Sequence, residues 1–126
     1  MNVVDSSAWL EYFADGENAR HFARPIEDPQ NLIVPAICLL EVFKRVLQQR
    51  NETDALKVAA AMRQGQLVDL DAELALTAAQ LGIAHRLPLA NSVIYATARR
   101  FDATLWTQDG DFEGLAAVRY FAKRST

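Results

Sequence analysis

The sequence predicts an α/β domain in which a parallel sheet is covered by helices on both faces. Three observations predict it. Short β-branched runs alternate with amphipathic stretches along the whole chain, clusters of Gly, Pro, Asn and Asp separate them, and no repeat, low-complexity tract or linker interrupts the alternation. Strands joined through helices need crossover connections, and a sheet connected that way is parallel and buried on both faces. The 126 residues are 51% hydrophobic and 23% charged, the balance of one compact domain, 1–126, that can bury a core without disulfides or a structural metal.

The elements follow in order. Asn2, Val3 and Val4 form a short apolar strand, and Asp5-Ser6-Ser7 supplies helix-capping side chains, so a helix runs on through 8–13 to a break at Asp15-Gly16. A second helix is expected over 17–24, ahead of Pro25, with Pro29 closing a loop. Leu32-Ile33-Val34 reads as the second strand, and Pro35 suits the first turn of a long helix over 36–50. Asn51-Glu52-Thr53-Asp54 is polar punctuation before a helix over 55–63 that ends near Gly65. Leu67-Val68 is a third strand, and an Ala/Leu helix over 71–81 is expected to stop at Gly82. Beyond Pro88 a helix spans 90–100, followed by strands over 104–107 and 117–121.

Composition excludes several function classes. Cys38 is the one cysteine and sits in an apolar run, so neither an intrachain disulfide framework nor a cysteine zinc site can be built; a reducing, cytoplasmic setting fits. No basic segment precedes the first apolar residues and no stretch reaches membrane-spanning length, so a soluble protein without a membrane partner is expected. The net charge of −3 argues against a general nucleic-acid coat protein, which binds by neutralising phosphates. It leaves room for a nuclease, because clustered carboxylates that hold a metal invert the local field toward the substrate.

In open α/β sheets the ligand site lies outside the carboxyl ends of the strands. Asp5, Glu41, Asn91 and the pair Asp109 and Asp111 all fall at that edge. Taken singly, each has an ordinary role. Asp5 and Asn91 could cap the helices that follow, Asp109-Gly110-Asp111 could be a turn, and Glu41 could pair with Arg45 one helical turn on, although its neighbours are apolar. Together they suit a hard divalent cation, which takes several oxygen ligands. The spacing around Asp109 imitates half of a calcium loop, but Tyr120 stands where that loop needs its bidentate Glu. His21 and His85 have no partner at a ligand spacing, and Trp9, Tyr12 and Phe13 read as packing before base stacking.

Val3-Val4-Asp5-Ser6-Ser7, Pro35-Ala36 through Glu41, Leu87-Pro88-Leu89-Ala90-Asn91-Ser92 with Tyr95-Ala96, and Thr107-Gln108-Asp109-Gly110-Asp111-Phe112 together resemble the PIN-domain nucleases, most closely the VapC toxins of bacterial toxin-antitoxin pairs. The resemblance covers essentially the whole chain. It implies a three-layer α/β/α sandwich with four or five parallel strands, Mg2+- or Mn2+-dependent cleavage of structured RNA such as tRNA or rRNA, inhibition by a VapB-type antitoxin, and a homodimer. It assigns Asp5, Glu41 and Asp109, with position 91, to catalysis and metal binding, makes Asp111 auxiliary, and gives Thr107 and Ser6 an orienting role. Asn91 departs from the family pattern, which has Asp there. The amide attracts a cation less than a carboxylate and cannot take a proton from water, so activity is expected to be weakened or lost, whether by natural change or by deliberate substitution.

The expected chemistry is attack of a metal-activated water on the phosphodiester, leaving a 5′-phosphate and a 3′-hydroxyl. Arg99, Arg100, Lys44, Arg45 and Arg86 are candidates for phosphate contacts, and the Ala-rich stretches around 58–62 and 74–81 for a dimer or antitoxin surface. Two rivals stand beside this reading. One is an inactive RNA- or antitoxin-binding module of the same fold; the other is a phospho-acceptor domain, which wants two acids after the first strand and a Lys after a late one, where this chain has serines and Gln108.

Overall fold

The computed structural model describes residues 1–123. Its strands are β1 (Asn2–Val4), β2 (Leu32–Pro35), β3 (Gln66–Val68), β4 (Thr104–Thr107) and β5 (Val118–Tyr120); its α-helices are α1 (Ser6–Phe13), α2 (Ala19–Ile26), α3 (Ala36–Gln49), α4 (Glu52–Met62), α5 (Ala72–His85) and α6 (Leu89–Arg100). The five strands form one parallel sheet in the order β3-β2-β1-β4-β5, so β1 is central. Contacts of α1 and α2 with the sheet fall on β1 and β4; α6 packs across β1, β2 and β4 with α5 behind it, and α3 touches both α1 and α6. The result is a three-layer α/β/α sandwich.

Coverage on both faces explains why the strands read as unbroken apolar runs. Val3, Val4, Ile33, Val34 and Leu105 are all completely buried. Trp9 is buried as well and stacks on Phe13 at 5.7 Å between ring centroids, while the Tyr12 hydroxyl donates to Glu27, so the aromatics of α1 serve packing. The Cys38 thiol lies under the Val4 carbonyl at 3.8 Å, and burial raises its pKa well above the ordinary value. Among the described residues, no helix is long and apolar enough to cross a membrane.

Three helices differ from the sequence expectation; the fourth starts at Glu52, capped by Asn51, instead of residue 55. The second helix starts at Ala19 instead of residue 17 and continues past Arg24 to Ile26, with Pro25 buried in its last turn, where the ring removes the bond to the His21 carbonyl and the helix ends one residue later. The fifth passes through Gly82 and ends at His85, capped by Arg86 in the left-handed region at φ 56°. Gly82 is required instead by close helix packing: a Cβ there would lie 2.3 Å from Ser92 Oγ, which is itself fixed by bonds to the Leu87 and Pro88 carbonyls.

Gly82→Ala is therefore expected to destabilise the fold by about 1–3 kcal/mol through overpacking, although alanine is the better helix former. In a Ser92→Gly background the same change should cost much less. Urea midpoints of the four proteins measure the coupling, and additive effects would mean that the α5–α6 contact does not set this residue.

Candidate active site

Because all five strands run the same way, their carboxyl ends share one edge, and the acids just beyond the adjacent strands β1 and β4 meet there. Asp5 follows β1 directly. It caps α1 by accepting from the Ala8 N–H at 2.9 Å, and it also accepts from the hydroxyls of Ser7 at 2.9 Å and Thr107 at 2.6 Å. The capping role and the site role are thus one geometry. Thr107 in turn accepts from the Asp109 N–H at 2.8 Å, so a single hydroxyl links the ends of β1 and β4.

Asp109 opens a 3-10 turn in which its Oδ1 accepts from the Asp111 N–H. Asn91 approaches from α6. It sits in the first turn but does not cap the helix, where Pro88 is the boundary residue. Its side-chain amide instead donates to Asp109 Oδ2 at 3.1 Å and to Asp111 Oδ2 at 3.3 Å. The amide N–H2 thus lies between two carboxylates, where a small cation would otherwise balance their charge. Glu41, on α3, makes no ion pair with Arg45 among the described residues; Ser6 Oγ donates to its Oε1 at 2.6 Å.

Asp5, Ser6, Glu41, Asn91 and Asp109 line one open groove of about 530 Å³, with Lys44 and Arg45 on its α3 wall. Asp111 borders it through the Asn91 amide. The other candidate cations lie elsewhere: Arg100 pairs with Asp71 and Glu73, Arg99 is beside it on α6, and Arg86 is the exposed cap of α5. These three are not brought to the groove. For Arg99 and Arg100 the reason is the direction of α6, whose first turn points at the site and whose last turn leads away from it. Sequence reasoning passed over Asn18 and Gln108. Both are buried, and Asn18 Nδ2 donates to Gln108 Oε1 and to the Ala122 carbonyl, fastening the start of α2 to the chain beyond β4 and β5. A polar pair 90 residues apart leaves no local signal.

The groove's donor set is all oxygen, as a hard divalent cation requires. No three acidic, His or Cys side chains among the described residues converge as a ready cage. A divalent cation held there would take one or two of these carboxylates and keep much of its water.

Burial, the nearly complete enclosure of Asp5, pushes its pKa up from 3.8 to about 6; the hydrogen bonds from Thr107, Ala8 and Ser7 oppose the rise, and the Asp109 charge adds to it. In the unfolded chain the group ionises near 3.8, so between the two values the native state binds more protons. Its contribution to stability is complete below about pH 4 and is lost as pH rises through about 6. Stability attributable to Asp5 should accordingly fall across this window, and Asp5→Asn should remove the fall. Urea midpoints at a series of pH values, with the carboxyl-carbon NMR titration of Asp5, measure it; ionisation near 4 would contradict the burial argument.

Residues 3–118 match the family profile described as PIN domain. No curated protein matches the chain significantly. Among solved structures, the fold is similar to a chain of a toxin-antitoxin complex from Klebsiella pneumoniae, with 20% identity over 98% of this chain and 100% of that one and a TM-score of 0.81. It is also similar to VapC20 of Mycobacterium tuberculosis, described as a sarcin-ricin loop cleaving toxin, at 20% identity over 94% and 99% of the two chains with a TM-score of 0.75. A third likeness is to DNA-bound VapBC from Salmonella typhimurium, at 15% identity, 96% coverage of each chain and a TM-score of 0.70. With the profile spanning nearly the whole sequence and the acids gathered at the edge where the sequence put them, the chain belongs to the PIN domain family.

Proposed function

We propose that this chain is an endoribonuclease toxin of the VapC type, acting on structured RNA with Mg2+ or Mn2+ and held in check by a VapB-type antitoxin. The observation that carries the reading is the meeting of Asp5, Glu41 and Asp109 in one groove, tied together by Ser6 and Thr107. Membership of the PIN family and the toxin-antitoxin assemblies among the similar folds support it. The sarcin-ricin loop specificity stated for VapC20 supports a structured substrate.

Asp5, Glu41 and Asp109, with the Asn91 carbonyl, are the groups that would hold the ion. When bound, a divalent cation acidifies a water for attack and neutralises charge growing on the phosphate. The protein's own part is orientation. Thr107 fixes Asp5 and the backbone before Asp109 at once, and Ser6 holds Glu41 in one rotamer. Lys44 and Arg45, which line the same groove, are the cations proposed to meet the RNA phosphates.

Asn91 sets the level of activity. For its carbonyl to face an ion, the amide must turn over and release Asp109 and Asp111, leaving two carboxylates facing each other. An occupied amide also favours the second reading, a module of the same fold that binds RNA or antitoxin without cutting. A homodimer is proposed from the exposed Leu76, Ile83 and Leu89, 70%, 84% and 84% accessible on α5 and the start of α6.

Asn91→Asp should raise RNA cleavage by at least about tenfold with Mg2+ or Mn2+, since altered ligation at such sites commonly changes metal affinity or activity 10–100-fold. Asp109→Asn in that background should abolish the gain. Total RNA incubated with each protein, followed by sequencing of new 5′-phosphate ends, reads the result. No cleavage by the Asn91→Asp protein would leave the binding module as the better account.

A further inference from the structure

Away from the acidic groove, an aromatic and cationic surface sits where α2 meets β4 and β5. His21 stacks on Phe121 with centroids 4.3 Å apart and planes 13° from parallel, and Phe121 stacks on Trp106 at 6.1 Å. Two guanidinium groups cover Trp106: Arg119 at 4.5 Å from the ring centre and Arg24 at 5.9 Å. Arg20 lies one turn before Arg24 on α2. None of the three arginines has a carboxylate within 4.0 Å among the described residues, whereas Arg50 and Arg100 are ion-paired. In a chain of net charge −3, three exposed arginines gather on this surface, with Glu17 the acid that lines the hollow beside Arg20.

The arrangement suits phosphate better than simple packing. Trp106 is only 5% exposed, so it holds the guanidinium planes instead of offering a face to a base. A guanidinium fixed by stacking loses less freedom when it grips a phosphate, and its outer N–H groups remain available. Phe121 and His21 are half-buried, so part of each ring edge is open to solvent. This surface also communicates with the groove. The hollow beside Asp5 shares Ser7, Leu10 and Arg45 with a second hollow reaching Gln108 and Lys123, which shares Glu17 with a third formed by Asn18, Arg20 and His21. Glu11 on that route is already engaged by the Asn18 N–H.

We infer that Arg20, Arg24 and Arg119, set on the Trp106–Phe121–His21 stack, form a secondary nucleic-acid contact that holds a single-stranded flank of the RNA whose backbone enters the acidic groove. The inference rests on the nuclease reading for the identity of the polyanion, but its contact is one of binding and does not depend on cleavage.

The test is fluorescence anisotropy with a labelled 12-nucleotide single-stranded RNA in EDTA, across a salt series, so that cutting plays no part. Wild type is compared with Arg24→Gln/Arg119→Gln and with a charge-matched control, Arg63→Gln/Arg99→Gln, and thermal melts confirm that each is folded. The α2–β5 pair is expected to weaken binding about tenfold and to lower the slope of log K against log salt by about 1.4, at about 0.7 per phosphate contact on a single strand, with the control near wild type. Equal losses in both variants, unchanged binding in the first, or binding of poly-Glu in preference to RNA would each overturn the inference. A folded double variant that binds weakly, beside an Asn91→Asp enzyme that does not cut, would separate loss of the nuclease reading from loss of this one.

Discussion

Burial of a carboxylate at the end of the central strand is the constraint on which the site depends. Asp5 closes β1 and opens α1 in the same residue, so its position is fixed by two elements, and a parallel sheet leaves it nowhere to go but the edge where β4 also ends. Enclosure there penalises its charge. The N–H and hydroxyl donors around it offset part of that cost; those of Ser7 and Ala8 come from the first turn of α1, and that of Thr107 requires β1 and β4 to be in register. Thr107 is the junction: its hydroxyl serves Asp5 and Asp109 together, so the alignment of β1 with β4 and the placement of two acids are one structural fact.

Asn91 shows how one amide changes the balance of such a cluster. Its N–H2 supplies partial positive charge to Asp109 and Asp111, which relieves their repulsion without any bound ion. The same contact aims the carbonyl away from those carboxylates. A carboxylate in this position would supply no donor and would add a further charge, so the cluster would look outward for its counter-charge. The side chain at 91 therefore sets whether the acids are balanced from within the fold or from solution.

Much of the fold was legible because alternating β-branched runs and capped helices are local signals; the acids at 5 and 109 were legible because they follow strands, and Glu41 because a carboxylate interrupts an apolar helical run. Gly82 misled because glycine usually ends helices, whereas here a neighbouring helix demands it through a contact with Ser92 that no local pattern records. Asn91 looked like a cap; its partners lie 18 and 20 residues on, across the sheet edge. The arginines were the least legible. Arg99 and Arg100 share α6 with Asn91 but point to another part of the surface, while Arg24 and Arg119 meet only because β5 adds to the sheet beside β4 under α2. Pairing of distant segments decides such matters, and a linear reading carries no trace of it.

Cys38 is the chain's single thiol. Sealed under the Val4 carbonyl, with its thiol held in the protonated form by burial, it is a poor nucleophile toward alkylating reagents and oxidants. The folded protein thus offers a blank background to maleimide chemistry. A single cysteine engineered on α3 or α2 could carry a dye or spin label beside the groove with the native thiol left in place.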